Sequence, residues 1–330
     1  MKAAFIGLNN GHLQHLYQMM QESTDDWEIT AICEEDPETV KRLEEQKNFK
    51  VTHTDFEDML NNADFDVLAI GEYFGIRGSR AIAAMKQRKH IIADKPLCIT
   101  LEELDEIRKL SEEKNLKVGI MLDLRHHPKF TAVRDMIKAG RIGDVQMIQF
   151  GGQHGLSYGI RPHWYYEEGK HGGTINDLGV HGLDAVEFMT GKKIKDLIAA
   201  RTWNAFADKE PQFHDGANFM FTLENGCNVM GDVSYSVPAG FKNGSFFGWR
   251  FTLWGKTGVI EFNYNLETPV RIYDNNGVEE LIPEPSTELD YLEILGKEIS
   301  GGTHPYGTEQ ALNITRKSLE LQRKADAVNL

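Results

Sequence analysis

Cysteine is scarce in this sequence, which contains only Cys33, Cys98 and Cys227. These three thiols are odd in number, lie far apart and fall in apolar or strand-like stretches. A disulfide framework or a zinc knuckle requires paired cysteines at short spacing. The sequence therefore predicts buried, reduced thiols and excludes a small disulfide-rich scaffold.

Long apolar runs and surplus positive charge are also missing. No stretch approaches the roughly 18 apolar residues of a membrane span, and the apolar run at residues 3–6 is too short for the core of a signal peptide. Lys and Arg number 36 against 50 Asp and Glu, so the formal net charge of -14 repels nucleic acid and anionic bilayers. We expect a cytoplasmic protein that binds neither nucleic acid nor membranes.

The composition, 41% hydrophobic and 26% charged over 330 residues, is typical of a globular protein with two domains. Up to residue 122, short apolar runs alternate with helical patterns, as in a parallel sheet with crossover helices. Six strands are predicted there, at residues 3–6, 27–33, 51–53, 67–70, 90–93 and 117–120. The predicted fold class is therefore α/β, with a doubly wound parallel domain over residues 1–122.

The second half of the chain, residues 123–330, has a different pattern. Asn225-Gly226 predicts a two-residue type I′ turn between antiparallel strands. Helical patterns occur near residues 128–139, 288–300 and 309–324, and the strands are predicted at 144–152, 196–206, 217–223, 228–235, 249–254, 259–262 and 271–273. We expect an α+β domain with a large, mostly antiparallel open sheet.

A glycine turn follows the first strand and contains Gly7, Asn9, Asn10, Gly11 and His12. Because it opens a helix, its backbone amides are placed to hold a pyrophosphate. A full dinucleotide fingerprint has glycine where Asn9 and His12 stand, although Asn tolerates left-handed geometry. By itself the turn is equally typical of an ordinary strand-to-helix connection.

Glu34 ends the second strand, 23 positions after Gly11. An acid at about this separation reaches the adenosine ribose of a dinucleotide. Its charge repels the 2′-phosphate of NADP, and no Arg stands at the next three positions, so NAD is favoured over NADP. The acids at 35, 36 and 38 are also explained as the start of the next helix.

Three ordered segments resemble one known family. The Asp-Lys-Pro at 94–96 resembles the Glu-Lys-Pro motif of the glucose-fructose oxidoreductase, inositol dehydrogenase and rhizopine catabolism (Gfo/Idh/MocA) family, with Asp94 in place of Glu. Residues 125–128 and 139–143 resemble the family's Arg-x-x-Pro segment and its Gly-Arg-Ile-Gly turn. Residues 171–184 match its glycine-pair, Asp, Gly and His signature almost position by position. The resemblance implies a Rossmann domain followed by a substrate-binding and oligomerisation domain.

The resemblance also implies a reaction and its catalytic residues: hydride transfer with NAD, His181 as general acid/base, Lys95 polarising the reacting oxygen and Asp177 positioning the substrate. Asp177 and His181 are four positions apart, so on a helix they share one face. The same helix contains Gly179 and Gly182, which indicates that bare backbone is wanted beside a ligand or another segment. A homodimer or homotetramer is implied as well.

Further contacts with cofactor and substrate are predicted. Besides the glycine turn and Glu34, the predicted cofactor contacts are Gly71, Tyr73, Asp94 and Lys95. The predicted substrate contacts are Lys95, Arg125, Arg161, Trp164, Asp177 and His181. The loop that contains Trp164 is equally compatible with packing into the core.

The chain departs from the family pattern at residues 71–77, where family members carry Thr-Pro-Asn followed by a His. Arg77 falls near the position of that His. It could meet a cofactor phosphate, a substrate carboxylate or only Glu72. One hypothesis is therefore that Arg77 binds an anionic substrate.

These observations predict an NAD(P)-dependent oxidoreductase that transfers a hydride between nicotinamide and a secondary alcohol of a sugar, inositol or related polyol. A non-catalytic regulatory protein that keeps the dinucleotide and sugar sites is the alternative. A metal-dependent sugar isomerase or lyase is a third possibility, because several His residues accompany Asp177 and His181. No His or Cys spacing fixes a metal site, so none is predicted.

Overall fold

The computed structural model describes residues 1–23, 27–46, 49–241 and 247–328, which form two compact units. The first unit comprises Met1–Met121, Gly169–Gly172 and Leu289–Thr315, and the second takes the rest. The first unit therefore includes two segments from beyond residue 122. A physical reason is clear for the later segment, because Leu292 and Leu295 belong to the hydrophobic core of the first unit.

The first unit contains a five-stranded sheet in the order β2-β1-β3-β4-β5. Every pairing in it is parallel, as predicted. The strands are β1 (Lys2–Ile6), β2 (Glu28–Cys33), β3 (Val67–Ile70), β4 (His90–Asp94) and β5 (Val118–Met121).

The predicted strand at 51–53 is wrong, since only a single bridge joins His53 to Cys33. The amides of Thr52 and His53 both donate to the Ile32 carbonyl, and the Thr52 hydroxyl bonds the amide and the carbonyl of Ile32. A regular ladder alternates its partners along the strand, so this convergence on one residue ends the pairing.

Helices cover both faces of this sheet in the doubly wound manner. Asn10, Asp36, Asp55, Thr100 and Asp290 each cap a helix by accepting a hydrogen bond from an amide of its first turn. The helices are α1 (Gly11–Glu22), α2 (Pro37–Glu45), α3 (Phe56–Asn62), α4 (Phe74–Lys86), α5 (Leu101–Lys114) and, later in the chain, α8 (Tyr291–Ile299).

The second unit contains an eight-stranded sheet in the order β13-β12-β11-β10-β6-β9-β8-β7. Its pairings are antiparallel except for β6 with β9, which confirms the predicted sheet. The strands are β6 (Val145–Gly155), β7 (Ile194–Trp203), β8 (Gly216–Leu223), β9 (Asn228–Val237), β10 (Trp249–Gly255), β11 (Gly258–Asn263), β12 (Val270–Asp274) and β13 (Gly277–Leu281). The sequence analysis missed β13, because this edge strand buries no side chain and shows no apolar alternation.

The predicted type I′ turn at Asn225-Gly226 is also wrong. Gly226 has a φ of +83°, but Asn225 is not among the residues with positive φ. The amide of Gly226 donates to the Leu223 carbonyl, and Leu223 donates to the carbonyl of Cys227. The connection is therefore a longer turn with one left-handed glycine rather than two left-handed residues.

The second unit has helices α6 (Pro128–Lys138) and α7 (Val180–Thr190), and α9 (Thr308–Val328) contributes residues to both units. Helix α7 is buried from Val180 to Met189. A Cβ on Gly182 would overlap the ring of Phe150 on β6. This glycine thus admits another segment at close range, one of the two roles that the sequence indicated.

The three cysteines are buried, as predicted. Across the described parts of the chain, no helix combines the length and the hydropathy needed to cross a membrane.

Lys129 on α6 is a fully buried lysine. Its Nζ donates to the carbonyls of Asn263 (3.1 Å) and Asn265 and to the hydroxyl of Thr268 (2.9 Å). Burial lowers the pKa of this ammonium group to about 8. The lysine therefore links α6 by hydrogen bonds to the loop between β11 and β12, and it retains its charge at neutral pH.

We predict that Lys129→Met lowers the free energy of unfolding at pH 7 by about 1–3 kcal/mol, because buried oxygens lose their donor. Urea denaturation measures the change, and Lys138→Met on the same helix is the control. The loss should grow from pH 7.5 to 9.5, because the unfolded chain binds more protons at this site than the folded chain between its two pKa values. A loss that shrinks over this range would contradict the lowered pKa.

Candidate active site

The glycine turn between β1 and α1 forms an open cradle. Gly7 has a φ of +80°, and a Cβ there would overlap the backbone amide of Glu72. At Gly11, by contrast, nothing lies within 4 Å of the position that a Cβ would occupy. The turn therefore leaves space at the N-terminus of α1, where backbone amides and the helix dipole favour an anion such as a pyrophosphate.

The two residues that replace fingerprint glycines have specific partners. Asn9 accepts a hydrogen bond from Arg42. His12, whose side chain is 59% exposed, places Nδ1 3.0 Å from Oδ1 of Asp94, and Asn10 donates to Oδ2 of Asp94 at 2.5 Å. The turn is thus hydrogen-bonded to the carboxyl end of β4. The predicted contact of Asn9 and His12 with the cofactor stays a prediction.

Asp94 forms a buried ion pair with Arg77. Nη2 of Arg77 lies 3.0 Å from Oδ2 of Asp94, and both side chains are buried. Burial opposes ionisation of this carboxyl, but Arg77, His12 and Lys95 together outweigh burial and hold the pKa of Asp94 well below its usual range. The pair therefore carries both charges at neutral pH.

Arg77 also donates to the main chain on both sides of that pair. Its Nε bonds the carbonyl of Glu72 (2.8 Å), and Nη1 bonds the carbonyls of Asp94 (2.9 Å) and Lys95 (2.7 Å). The hypothesis that Arg77 holds an anionic substrate is therefore wrong. The guanidinium is fully buried and occupied by backbone oxygens, so its role is to hold the turn that contains Lys95.

Lys95 follows β4 directly and is itself buried. The peptide bond between Lys95 and Pro96 is cis. Gly71 follows the neighbouring strand β3, and a Cβ on it would overlap the side chain of Leu13. Tyr73 precedes α4, and Nζ of Lys170 lies 5.2 Å from its ring centre. These predicted cofactor residues therefore cluster at the carboxyl ends of adjacent parallel strands, where ligands bind in such sheets.

Glu34 at the end of β2 has an unusual carboxyl group. Its Oε2 is buried without a hydrogen-bond partner, and burial raises its pKa to about 6. The two acids that follow have partners within the protein: Glu35 pairs with Arg80, and Asp36 caps α2. A buried acceptor without a donor requires an explanation, and the two ribose hydroxyls of a dinucleotide are donors that would satisfy it. Glu34 therefore fits the ribose of NAD.

In the second unit, Asp177 lies in a π-helical turn, Ile175–Gly179, just before α7. Its Oδ2 accepts hydrogen bonds from the hydroxyls of Tyr165 (2.5 Å) and Tyr235, and all three residues are buried. The guanidinium of Arg161 lies over both rings, 4.5 Å and 5.1 Å from their centres. The carboxylate is thus held in a fixed position by two tyrosines that the sequence analysis did not single out.

His181 lies in the first turn of α7. Its Nδ1 is 3.5 Å from Oδ1 of Asp123, and its ring centre is 5.6 Å from that of Trp249 on β10. Asp123 belongs to a short 3-10 turn after β5, and its side chain is 60% exposed. The sequence analysis missed Asp123, although it stands two residues before the Arg-x-x-Pro segment.

The other predicted substrate contacts have partners inside the second unit. Nε of Arg125 lies 2.6 Å from Oδ2 of Asp184 in a buried ion pair. Arg161 donates to the carbonyls of Leu156 and Gly155. Trp164 is half-buried, with its ring centre 5.1 Å from that of Tyr165. Their contact with a substrate stays a prediction.

A cavity of about 360 Å³ is present in the second unit. Its walls include Asp123, His154, Trp249 and Tyr264. It therefore borders the carboxylate and the indole that flank His181. Within the described residues, no group of three or more His, Cys, Asp or Glu side chains is arranged to hold a metal ion.

Two family models match the chain. The model described as "Oxidoreductase family, NAD-binding Rossmann fold" matches residues 1–122. The model described as "GFO/IDH/MocA C-terminal domain" matches residues 130–261. Together they cover well over half of the sequence, in the order that the motifs predicted.

Curated relatives are distant. A scyllo-inositol 2-dehydrogenase (NADP(+)), IolW, of Bacillus subtilis is 24% identical over 56% of this chain and 49% of its own length. Levoglucosan dehydrogenase of Pseudarthrobacter phenanthrenivorans is 23% identical over 73% of this chain and 66% of its own length. The chain thus spans between about half and two thirds of the length of these relatives.

Solved structures share the fold over the full chain. An NAD-binding protein from Listeria innocua has a TM-score of 0.81 at 18% identity and covers 99% of this chain and 95% of its own. The complex of levoglucosan dehydrogenase with NADH also has a TM-score of 0.81, at 17% identity, and covers 99% and 97%. At these identities the likeness establishes the fold.

We predict strong coupling between Arg77 and Asp94. Arg77→Met, Asp94→Asn and the double variant should show an interaction energy of about 1–3 kcal/mol in the free energy of unfolding, because either single change leaves a buried charge unpaired. Chemical denaturation measures the cycle. The exposed pair Lys256 and Asp144 (2.7 Å) is the control and should show no measurable coupling. Additive effects at Arg77 and Asp94 would contradict their assignment as one unit.

Proposed function

The chain belongs to the Gfo/Idh/MocA family of oxidoreductases, and we propose that it is an NAD-dependent enzyme that oxidises or forms a secondary alcohol on a sugar, inositol or related polyol. One observation carries the proposal: each of the two units contains residues suited to one part of such a reaction. The first unit has the open glycine turn, Glu34 with its unpaired Oε2, and Lys95. The second has a cavity of ligand size lined by Asp123 and Trp249, which flank His181.

The residues of the first unit fit NAD. The turn at Gly7 and Gly11 would hold the pyrophosphate, and Oε2 of Glu34 would accept hydrogen bonds from the adenosine ribose. When bound, NAD⁺ supplies the acceptor for the hydride. The predicted contacts at Gly71, Tyr73 and Lys95 belong to this proposal.

His181 is the proposed general acid/base. The Asp123 carboxylate, 3.5 Å from Nδ1, favours a proton on that nitrogen, which leaves the lone pair of Nε2 to take the proton of a substrate hydroxyl. The ammonium group of Lys95 is the proposed donor to the reacting oxygen, which carries negative charge as its proton leaves.

Asp177 is proposed to position the substrate. Because Tyr165 and Tyr235 donate to one of its oxygens, the carboxylate cannot swing freely. A group whose rotamer is held by its neighbours places a substrate hydroxyl more accurately than an exposed one does. Arg125, Arg161 and Trp164 are retained as proposed substrate contacts at the edge of this site.

The choice of cofactor depends on charges near the end of β2. One relative is named for NADP(+), so family membership alone does not decide it. Two arginines lie near these acids: Arg80 is already bonded to Glu72 (3.0 Å) and Glu35, and Arg42 donates to Asn9. The unpaired charge is that of Glu34, which repels a 2′-phosphate. We therefore propose NAD as the cofactor.

Assembly and location are part of the proposal. The outer face of the eight-stranded sheet exposes Met147, Met220 and Met230, which neighbour one another across β6, β8 and β9. A second copy of the chain would bury them in a homodimer or homotetramer, and residues 123–330 would then serve assembly as well as substrate binding. The three buried thiols fit the proposed cytoplasmic location.

The first test is a titration with NADH and NADPH followed by nicotinamide fluorescence. We expect NADH to bind about tenfold more tightly at pH 8, because the ionised Glu34 repels the 2′-phosphate. The preference should weaken as pH falls through about 6, the raised pKa of Glu34. Protonation of the 2′-phosphate also changes the preference for NADH with pH, but it does so in wild type and in Glu34→Gln alike. The part of the preference that wild type shows and Glu34→Gln lacks is therefore due to Glu34. An equal preference in the two proteins would contradict the ribose contact.

The second test is His181→Asn. We expect turnover of a panel of sugars, inositols and their acids to fall about 100-fold or more, because the proton acceptor is lost, while NADH affinity stays unchanged. His15→Asn at an exposed position of α1 is the matched control. Full activity of His181→Asn would rule out the assignment, and a simultaneous loss of NADH binding would point to misfolding instead.

A further inference from the structure

We propose that Ser318 and Gln322, two buried polar residues of α9, are positioning residues for Asp177. This inference rests on the proposed function, in which Asp177 orients the substrate. All three residues belong to the second unit. Both side chains of α9 form hydrogen bonds with the π-helical turn Ile175–Gly179, which contains Asp177, so this turn transmits their effect to the reaction.

The direction of Asp177 depends on the register of this turn. The amide of Val180 donates to the carbonyl of Ile175, five residues earlier, whereas in an α-helix the amide of Gly179 would donate to it. One residue corresponds to about 100° of rotation around an α-helix. A return to the α-helical register would therefore change the direction of the Asp177 side chain relative to α7. The π-helical register must be held for the carboxylate to stay in place.

Gln322 holds the start of the turn. The first amides of a helix have no partners within it, and the side chain of Thr174, which precedes the turn, makes no capping hydrogen bond. Instead, Oε1 of Gln322 accepts a hydrogen bond from the amide of Ile175 at 2.9 Å. Nε2 of Gln322 donates to Oδ1 of Asp326 at 2.8 Å. Because an ionised carboxylate only accepts, Asp326 orients the carboxamide with its oxygen towards the turn.

Ser318 lies four residues before Gln322, on the same face of α9. Its hydroxyl donates to Oδ1 of Asn176 at 2.9 Å and lies 3.4 Å from the carbonyl of Ile175. Ser318 and Asn176 are both fully buried, so loss of this hydroxyl would remove a donor that water does not readily replace. Two side chains of α9 therefore hold successive residues of the turn.

The close approach of α9 also explains a glycine of the 171–184 signature to which the proposed function assigns no role. Gly173 has a φ of +95°, and a Cβ on it would overlap the carboxamide of Gln322. The carbonyl of Gly173 accepts a hydrogen bond from the amide of Asp177 at 3.0 Å. A larger residue at 173 would push the carboxamide away from the turn. The glycine is thus needed for Gln322 to reach the amide of Ile175.

The experiment compares Gln322→Met, which removes the acceptor, with Thr315→Val. Thr315 is also a buried polar residue of α9, but its hydroxyl donates to the carbonyl of Ala311 in the same helix at 2.8 Å. Both variants should lose stability in urea. Only Gln322→Met should lower kcat/KM for the best substrate of the panel, by about tenfold, because the substrate is misplaced. NADH affinity should stay unchanged, and Ser318→Ala should lower kcat/KM in the same way.

Hydrogen exchange gives a second readout that does not require turnover. We expect the amides of residues 175–180 to exchange faster in Gln322→Met and Ser318→Ala but not in Thr315→Val. Unchanged exchange of these amides, or faster exchange with an unchanged kcat/KM, overturns this inference and leaves the proposed function standing. Absence of turnover of the whole panel by the wild type overturns the proposed function and the positioning role with it.

Discussion

The buried ion pair between Arg77 and Asp94 is the constraint on which the candidate cofactor site depends. A buried charge pair is stable only when its remaining donors and acceptors are satisfied. Here Arg77 bonds the backbone at Glu72 and Lys95, while Asp94 accepts from Asn10 and lies within reach of His12. One pair thus fixes the ends of β3 and β4 and the glycine turn together.

Three positions at which the chain departs from the family pattern meet at this ion pair. The resemblance expects Gly at position 12, His near 77 and Glu at 94, and the chain has His, Arg and Asp there. All three replacements contact one another through the Asp94 carboxylate. The guanidinium of Arg77 and the imidazole of His12 thus both lie against the carboxylate that stands in place of the family's Glu, whereas Asn9 bonds Arg42.

Local patterns made most of the fold predictable, and distant contacts set the limit. Strands with a buried apolar run were found from the sequence, whereas 51–53 failed because Thr52 and His53 converge on Ile32, and β13 was missed because it has no buried face. Lys95, Asp177 and His181 stand in motifs, and Glu34 follows a strand. The side chains that hold these residues in place do not stand in motifs. Tyr235 is 58 residues from Asp177, and no local sequence pattern predicts such a contact.

The two units constrain function differently. An unsatisfied oxygen on buried Glu34 costs stability that a dinucleotide would restore, so this residue argues for a bound nucleotide in an enzyme and in a regulatory protein alike. What separates the two is His181. A general acid/base gains from a carboxylate beside its second nitrogen, and Oδ1 of Asp123 lies 3.5 Å from Nδ1 of His181. The arrangement in the second unit therefore favours catalysis.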